Sequence, residues 1–67
     1  MGEIPLAPLE RIMRKAGAKR VSEDAVIAMA QLVEDHAEEL SEDAIAIAKS
    51  AGKKTVEEAD ILAAKKR

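Results

Sequence analysis

The chain has 67 residues, no cysteine, one histidine, no aromatic residue and a net charge of −2. Its length allows one domain with a small core, and the usual staples of small domains are missing: there is no thiol for a disulfide, and a single histidine makes no zinc cluster. An apolar share of 48% without Tyr, Phe or Trp suits a helix bundle rather than a sheet. No apolar run nears the ~18 residues of a membrane span and no signal-peptide pattern is present, so a soluble intracellular protein with no membrane partner is expected.

Residues 1–5 read as an extended lead-in closed by Pro5. A first short helix is predicted over 6–16, because Leu9, Ile12, Met13 and Ala16 recur at three- and four-residue steps. Gly17 stops it, as glycine does in a left-handed C-cap. Ser22 is a good N-cap, and Glu23 and Asp24 favour the positive end of the helix dipole. From there one apolar stripe runs unbroken to about Ser50, through Val26, Met29, Val33, Ala37, Leu40, Ala44 and Ile47, widened by Leu32 and His36. The spacing predicts a single long helix over 22–50, ended by Gly52. A last helix is predicted over 57–65. Its start has two candidates: Thr55 with Glu58 makes a capping box, whereas an internal echo favours Glu57. That echo sets AGAKRVSE (Ala16–Glu23) against AGKKTVEE (Ala51–Glu58), aligning Gly17 with Gly52, Val21 with Val56 and Ser22 with Glu57. It makes Arg20-Val21 and Thr55-Val56 twin scraps of extended chain.

Charge is segregated along this pattern. Residues 1–20 carry +3, residues 21–48 carry eight acids and no Lys or Arg, and residues 49–67 carry +3. A helix of 28 residues spans ~42 Å, while a compact 67-residue globule is roughly 28 Å across. Two short helices cannot cover both ends of so long a stripe, and a second copy crossing it can. The expected state is an obligate homodimer whose core holds Val26, Met29, Val33, His36, Ala37, Leu40, Ala44 and Ile47. Two-fold crossing of antiparallel long helices brings the gap at 17–21 of one chain beside the gap at 52–56 of its partner. Lys19, Arg20, Lys53 and Lys54 then gather, next to helix N-termini such as that opened by Ser22, into anion sites. Two such sites on one rigid body suit duplex DNA. No aromatic platform exists for single-stranded bases, and cations in loops and at helix ends touch phosphates rather than read bases. Arg20, at a loop tip, can enter a minor groove.

The segments IPLAPLERIMRKAGAKRVSEDA and AKSAGKKTVEEADILAA, with the charge-segregated helix between them, closely resemble an archaeal histone over nearly the whole length. The resemblance implies an all-α histone fold, short–long–short helices with two short loop strands, forming a handshake homodimer. It implies sequence-nonspecific binding and compaction of double-stranded DNA through the phosphate backbone and minor groove, in the nucleoid of a cytoplasm. By position, Arg11 and Arg14 resemble phosphate-binding residues of the first helix, with Lys15 beside them. Arg20 resembles the minor-groove arginine, Lys54 and Thr55 match the second loop, and Lys53 with Asp60 resembles a loop-to-helix ion pair in which arginine is more usual. Ile47, Ser50, Asp60 and Ala63 occupy the contact between dimers that builds tetramers or higher assemblies on DNA. Ser50 and Ala63 are smaller than the histidine and leucine often found there. Glu57 replaces a residue that is often basic, which predicts weaker DNA binding.

Plainer readings stand beside these. Arg11, Arg14 and Lys15 suit a solvated helix face, Lys65–Arg67 a dipole match and frayed tail, and His36 packing at the dimer crossing. Met13 and Met29 are core filler. Adjacent helix residues diverge by ~100°, so Glu34/Asp35, Glu38/Glu39 and Glu42/Asp43 make an outer acidic face rather than a catalytic or metal site. Neither an enzyme nor a cofactor is expected. The alternative function is an interaction module with weak or no DNA affinity, acting as a heterodimer partner.

Overall fold

The starts of the second and third helices and the ends of the first and second fall where leftover backbone groups find partners. The computed structural model describes residues 4–65 and contains three helices: α1 (Leu6–Lys15), α2 (Glu23–Ser50) and α3 (Glu58–Lys65). Pro5 precedes α1 in an extended conformation, φ −59° and ψ 139°, and Pro8 falls in the first turn, where a missing N–H forfeits no helical bond. Ser22 caps α2. Its Oγ accepts the Ala25 N–H at 3.1 Å and its carbonyl accepts the Val26 N–H at 3.2 Å, so the first helical residue is Glu23 and the serine stands just outside.

α3 takes the later of its two candidate starts. The Glu57 carbonyl accepts the N–H groups of Asp60 and Ile61 at 2.9 and 3.2 Å. Asp60 turns Oδ2 back to accept the Glu57 N–H at 2.9 Å, which is the acidic half of a capping box framed on Glu57 rather than Thr55. The two glycine stops are alike in their bonding. Gly17 N–H donates to Arg14 O at 3.0 Å and Ala18 N–H to Met13 O at 3.2 Å; Gly52 N–H donates to Lys49 O and Lys53 N–H to Ala48 O, both at 2.9 Å. These are Schellman pairs, and they hold Gly17 at φ +123° and Gly52 at φ +76°, where a Cβ is disfavoured. The echo in the sequence is therefore an echo in hydrogen bonding.

The chain divides into two compact units between Asp35 and His36, each made of half of α2 and one short helix. In the first, Leu9, Val26 and Ala30 form the buried cluster, with Ile4, Met13, Val21 and Val33 packed against it. In the second, the buried apolar residues are Ala44, Ala48 and Ala64, joined by buried Asp60. Alanine side chains carry little area, so this unit gains little from apolar burial. Its branched residues Ile45, Val56, Ile61 and Leu62 stay 36% or more exposed.

Val26 and Ala44 are 4% and 0% exposed within their own chain. Helical periodicity marks an apolar face but not the neighbour that covers it. Of the remaining dimer-core candidates, Met29, His36 and Ala37 are exposed and Val33, Leu40 and Ile47 half-buried, whereas Leu32 keeps 65% of its surface. One expectation changes: Arg20-Val21 and Thr55-Val56 form no strand among the described residues, because a strand needs a second extended segment to pair with.

Candidate nucleic-acid interface

The first loop hangs from the Gly17 stop and delivers cations to solvent. Lys19 and Arg20 follow the half-buried Ala18 and are exposed, as are Arg11, Arg14 and Lys15 on α1. Arg14 is not idle. Its Nε and Nη2 donate to Glu10 Oε2 at 3.1 and 2.9 Å, and its Nη1 donates to the Lys19 carbonyl at 3.3 Å. That last bond ties the end of α1 to the loop. Ser22 spends Oγ as an acceptor on the α2 cap, which leaves its hydroxyl hydrogen to donate.

The second loop uses the same frame with an added clamp. Lys53 Nζ donates to Asp60 Oδ2 at 2.8 Å and to Glu57 Oε1 at 3.1 Å. The Asp60 side chain is 6% exposed and the Lys53 side chain 31%. Asp60 Oδ2 thus serves two donors, Lys53 and the Glu57 N–H, and joins the loop to the first turn of α3. The hydrogen bond from Lys53, then that from the Glu57 N–H, hold the Asp60 carboxyl below its ordinary 3.8 against the opposing effect of burial. Lys53 is raised above 10.5, first by its bond to Asp60 and then by that to Glu57. In the first loop the echo positions of Lys53 and Asp60 are Ala18 and Ala25, so no such clamp is available there. Lys54 and Thr55 lie exposed at the tip.

Electrostatics at the helix starts are mixed. Glu23 and Asp24 occupy the first turn of α2, and Glu58 and Asp60 that of α3. The partial positive charge at these two helix starts already meets carboxylates of its own chain. The positive charge left open to solvent lies on the loop side chains more than on the starts of α2 and α3. Of the positions resembling a contact between dimers, Ile47 is half-buried, Ser50 and Ala63 are exposed, and Asp60 is committed to its clamp. Sequence reasoning does not pair Glu10 and Glu57 with these cations, although each stands four residues from the one it holds. That spacing is a usable signal. Lys66 and Arg67 of the basic tail lie outside the described residues.

Short, long and short helices, with a glycine-stopped basic loop at each join, define a histone fold. The chain belongs to the family of histone-like transcription factors (CBF/NF-Y) and archaeal histones, whose model matches residues 2–64. It is 49% identical over 61 residues to one of the subunits of the archaeal histone HAN1 of Thermococcus zilligii, covering 91% of each chain. It is 45% identical over 64 residues to the probable archaeal histone 3 of Methanocaldococcus jannaschii, covering 96% of each. Membership implies binding and compaction of DNA by a structural protein rather than an enzyme. No helix among the described residues is long and apolar enough to cross a membrane.

Proposed function

We propose that the protein is a handshake homodimer that binds and wraps double-stranded DNA without reading its sequence, on the chromosome in the cytoplasm. The observation that carries this reading is the doubled loop: the same Schellman stop presents Lys19 and Arg20 in one place and Lys54 and Thr55 in the other. Cations on loop tips meet phosphates, and Arg20 has the length to enter a minor groove. The residues assigned to DNA are Arg11, Arg14, Lys15, Lys19, Arg20, Ser22, Lys53, Lys54 and Thr55, with Lys53 restrained by its clamp.

Pairing of two copies is supported by apolar area the chain leaves open. Met29 and Leu32 are 37% and 65% exposed, and Ile45 and Val56 41% and 39%. Two grooves, one in each unit, have opposite charge. One is lined by Leu6, Val21 and Val26 with Glu10 and Glu23. The other is lined by Ile45, Ala48 and Val56 with Lys49, Lys53 and Lys54. Small residues at 50 and 63 favour dimers over tetramers and longer stacks.

A second reading is a protein that pairs with a more basic relative and has little DNA affinity of its own. Its support is the run of eight acids without a Lys or Arg over residues 21–48, and the relative from Thermococcus zilligii, which carries the name of a histone subunit. A salt titration on a short duplex, with native mass measured alone and on DNA, tests both. The proposed function expects a dimer that binds at about 50 mM salt and loses ten-fold or more in affinity by about 200 mM. No binding at the lower salt refutes it and favours the second reading.

A further inference from the structure

Two exposed carboxylates stand on cations of the proposed DNA face. Glu10 Oε2 accepts Nε and Nη2 of Arg14 at 3.1 and 2.9 Å, and Glu57 Oε1 accepts Lys53 Nζ at 3.1 Å. The Glu10 and Glu57 side chains are 41% and 61% exposed. They differ in this from Asp60, whose side chain is 6% exposed and serves the Glu57 N–H as well as Lys53. Asp60 is part of the loop's construction. Glu10 and Glu57 hold their cations from the solvent side, where a DNA phosphate also approaches.

We infer that Glu10 and Glu57 set the DNA affinity of this protein, each competing with phosphate for the cation beside it. The inference rests on the DNA-binding reading above. An exposed ion pair is weak, so phosphate displaces it; the pairs lower affinity without closing the site. A displaced carboxylate then remains close to the DNA as a like charge. The two sites are unequal. Arg14 keeps only its exposed 3.3 Å bond to the Lys19 carbonyl once Glu10 is neutral, whereas Lys53 stays bound to the buried Asp60 at 2.8 Å when Glu57 is removed. Neutralising Glu10 therefore gives the larger gain.

The experiment measures duplex binding by the full chain at about 50 mM salt for wild type, Glu10→Gln, Glu57→Gln, the double variant and Glu38→Gln. Glu38 is exposed on α2 and makes no ion pair among the described residues, so its variant changes net charge equally without freeing a cation. Glu10→Gln is expected to raise affinity about five-fold and Glu57→Gln about two- to three-fold, the double variant about ten-fold, and Glu38→Gln less than two-fold. In an Arg14→Gln background the Glu10→Gln gain shrinks to that of Glu38→Gln. Equal gains from all three single variants, or a Glu10→Gln gain that survives loss of Arg14, overturn the inference while leaving DNA binding intact. A wild type that binds no duplex at this salt overturns the proposed function instead.

Discussion

Leu32→Ala is the most direct probe of what covers α2. Leu32 keeps 65% of its surface within its own chain. Full burial of a leucine side chain contributes about 2 kcal/mol, so covering the remainder contributes about 1.3 kcal/mol per copy and about 2.6 kcal/mol in a dimer that covers two. The methyl that alanine keeps and the cavity it leaves act in opposite directions and do not change the scale. At 1.4 kcal/mol per ten-fold, dimer formation weakens about 70-fold. Urea unfolding over a range of protein concentrations measures this, because a coupled folding and dimerisation equilibrium moves its midpoint with concentration. The variant should need about 70 times more protein to match the wild-type midpoint, while Gln31→Ala, at an exposed neighbour, stays within about 0.5 kcal/mol. In a chain that works alone, Leu32→Ala is a surface substitution with the same small effect as Gln31→Ala. That outcome, with midpoints independent of concentration, refutes both the interface and the homodimer.

Asp60→Asn should lower the unfolding midpoint at neutral pH by removing the carboxylate that Lys53 Nζ and the Glu57 N–H share. Because the Asp60 pKa is depressed in the folded state, its contribution is complete above the ordinary 3.8 and is lost as pH falls through the folded value. The two proteins therefore converge in acid, and a gap that persists unchanged to about pH 2 refutes the clamp. Lys53, being raised, contributes fully below 10.5 and loses its contribution as pH climbs through its folded value. Thermal melts from acid to alkali should show both edges. Gly52→Ala should cost about 1–2 kcal/mol in chemical denaturation, since φ is +76° with nothing within 4 Å to blame on crowding, and Gly52→Asn should cost less; equal costs would contradict the backbone explanation. Ser22→Ala should cost about 1 kcal/mol by loss of the bond to the Ala25 N–H, whereas Ser22→Asp should retain most of the stability, and a neutral Ser22→Ala rules out a stabilising cap.

Much of this protein is legible because its information is local. Gly17 and Gly52, Ser22, and the acid three residues after Glu57 each act on backbone groups within five positions. A repeated string of letters is therefore a repeated pattern of bonds. The exposed carboxylates on Arg14 and Lys53 are local too, yet in the sequence Glu57 reads only as a replacement charge and Glu10 carries no role, whereas the Lys53–Asp60 pair is expected from the resemblance and is present. Spacing permits an ion pair, and only rotamers and the rival partners nearby decide whether it forms. For the apolar stripe the limit is different. Val26 and Met29 are three residues apart on the same face, but Val26 is 4% exposed and Met29 37%. The difference comes from Leu9, on another helix, which shares a buried cluster with Val26.

Helix number, order and termini followed from periodicity, capping residues and glycine stops, all of them interactions between near neighbours in the chain. Which apolar residues the protomer covers for itself, and that Glu10 and Glu57 hold Arg14 and Lys53, emerged only from the folded coordinates. Those outcomes are competitions between partners brought close by folding, and a linear pattern does not say which partner wins.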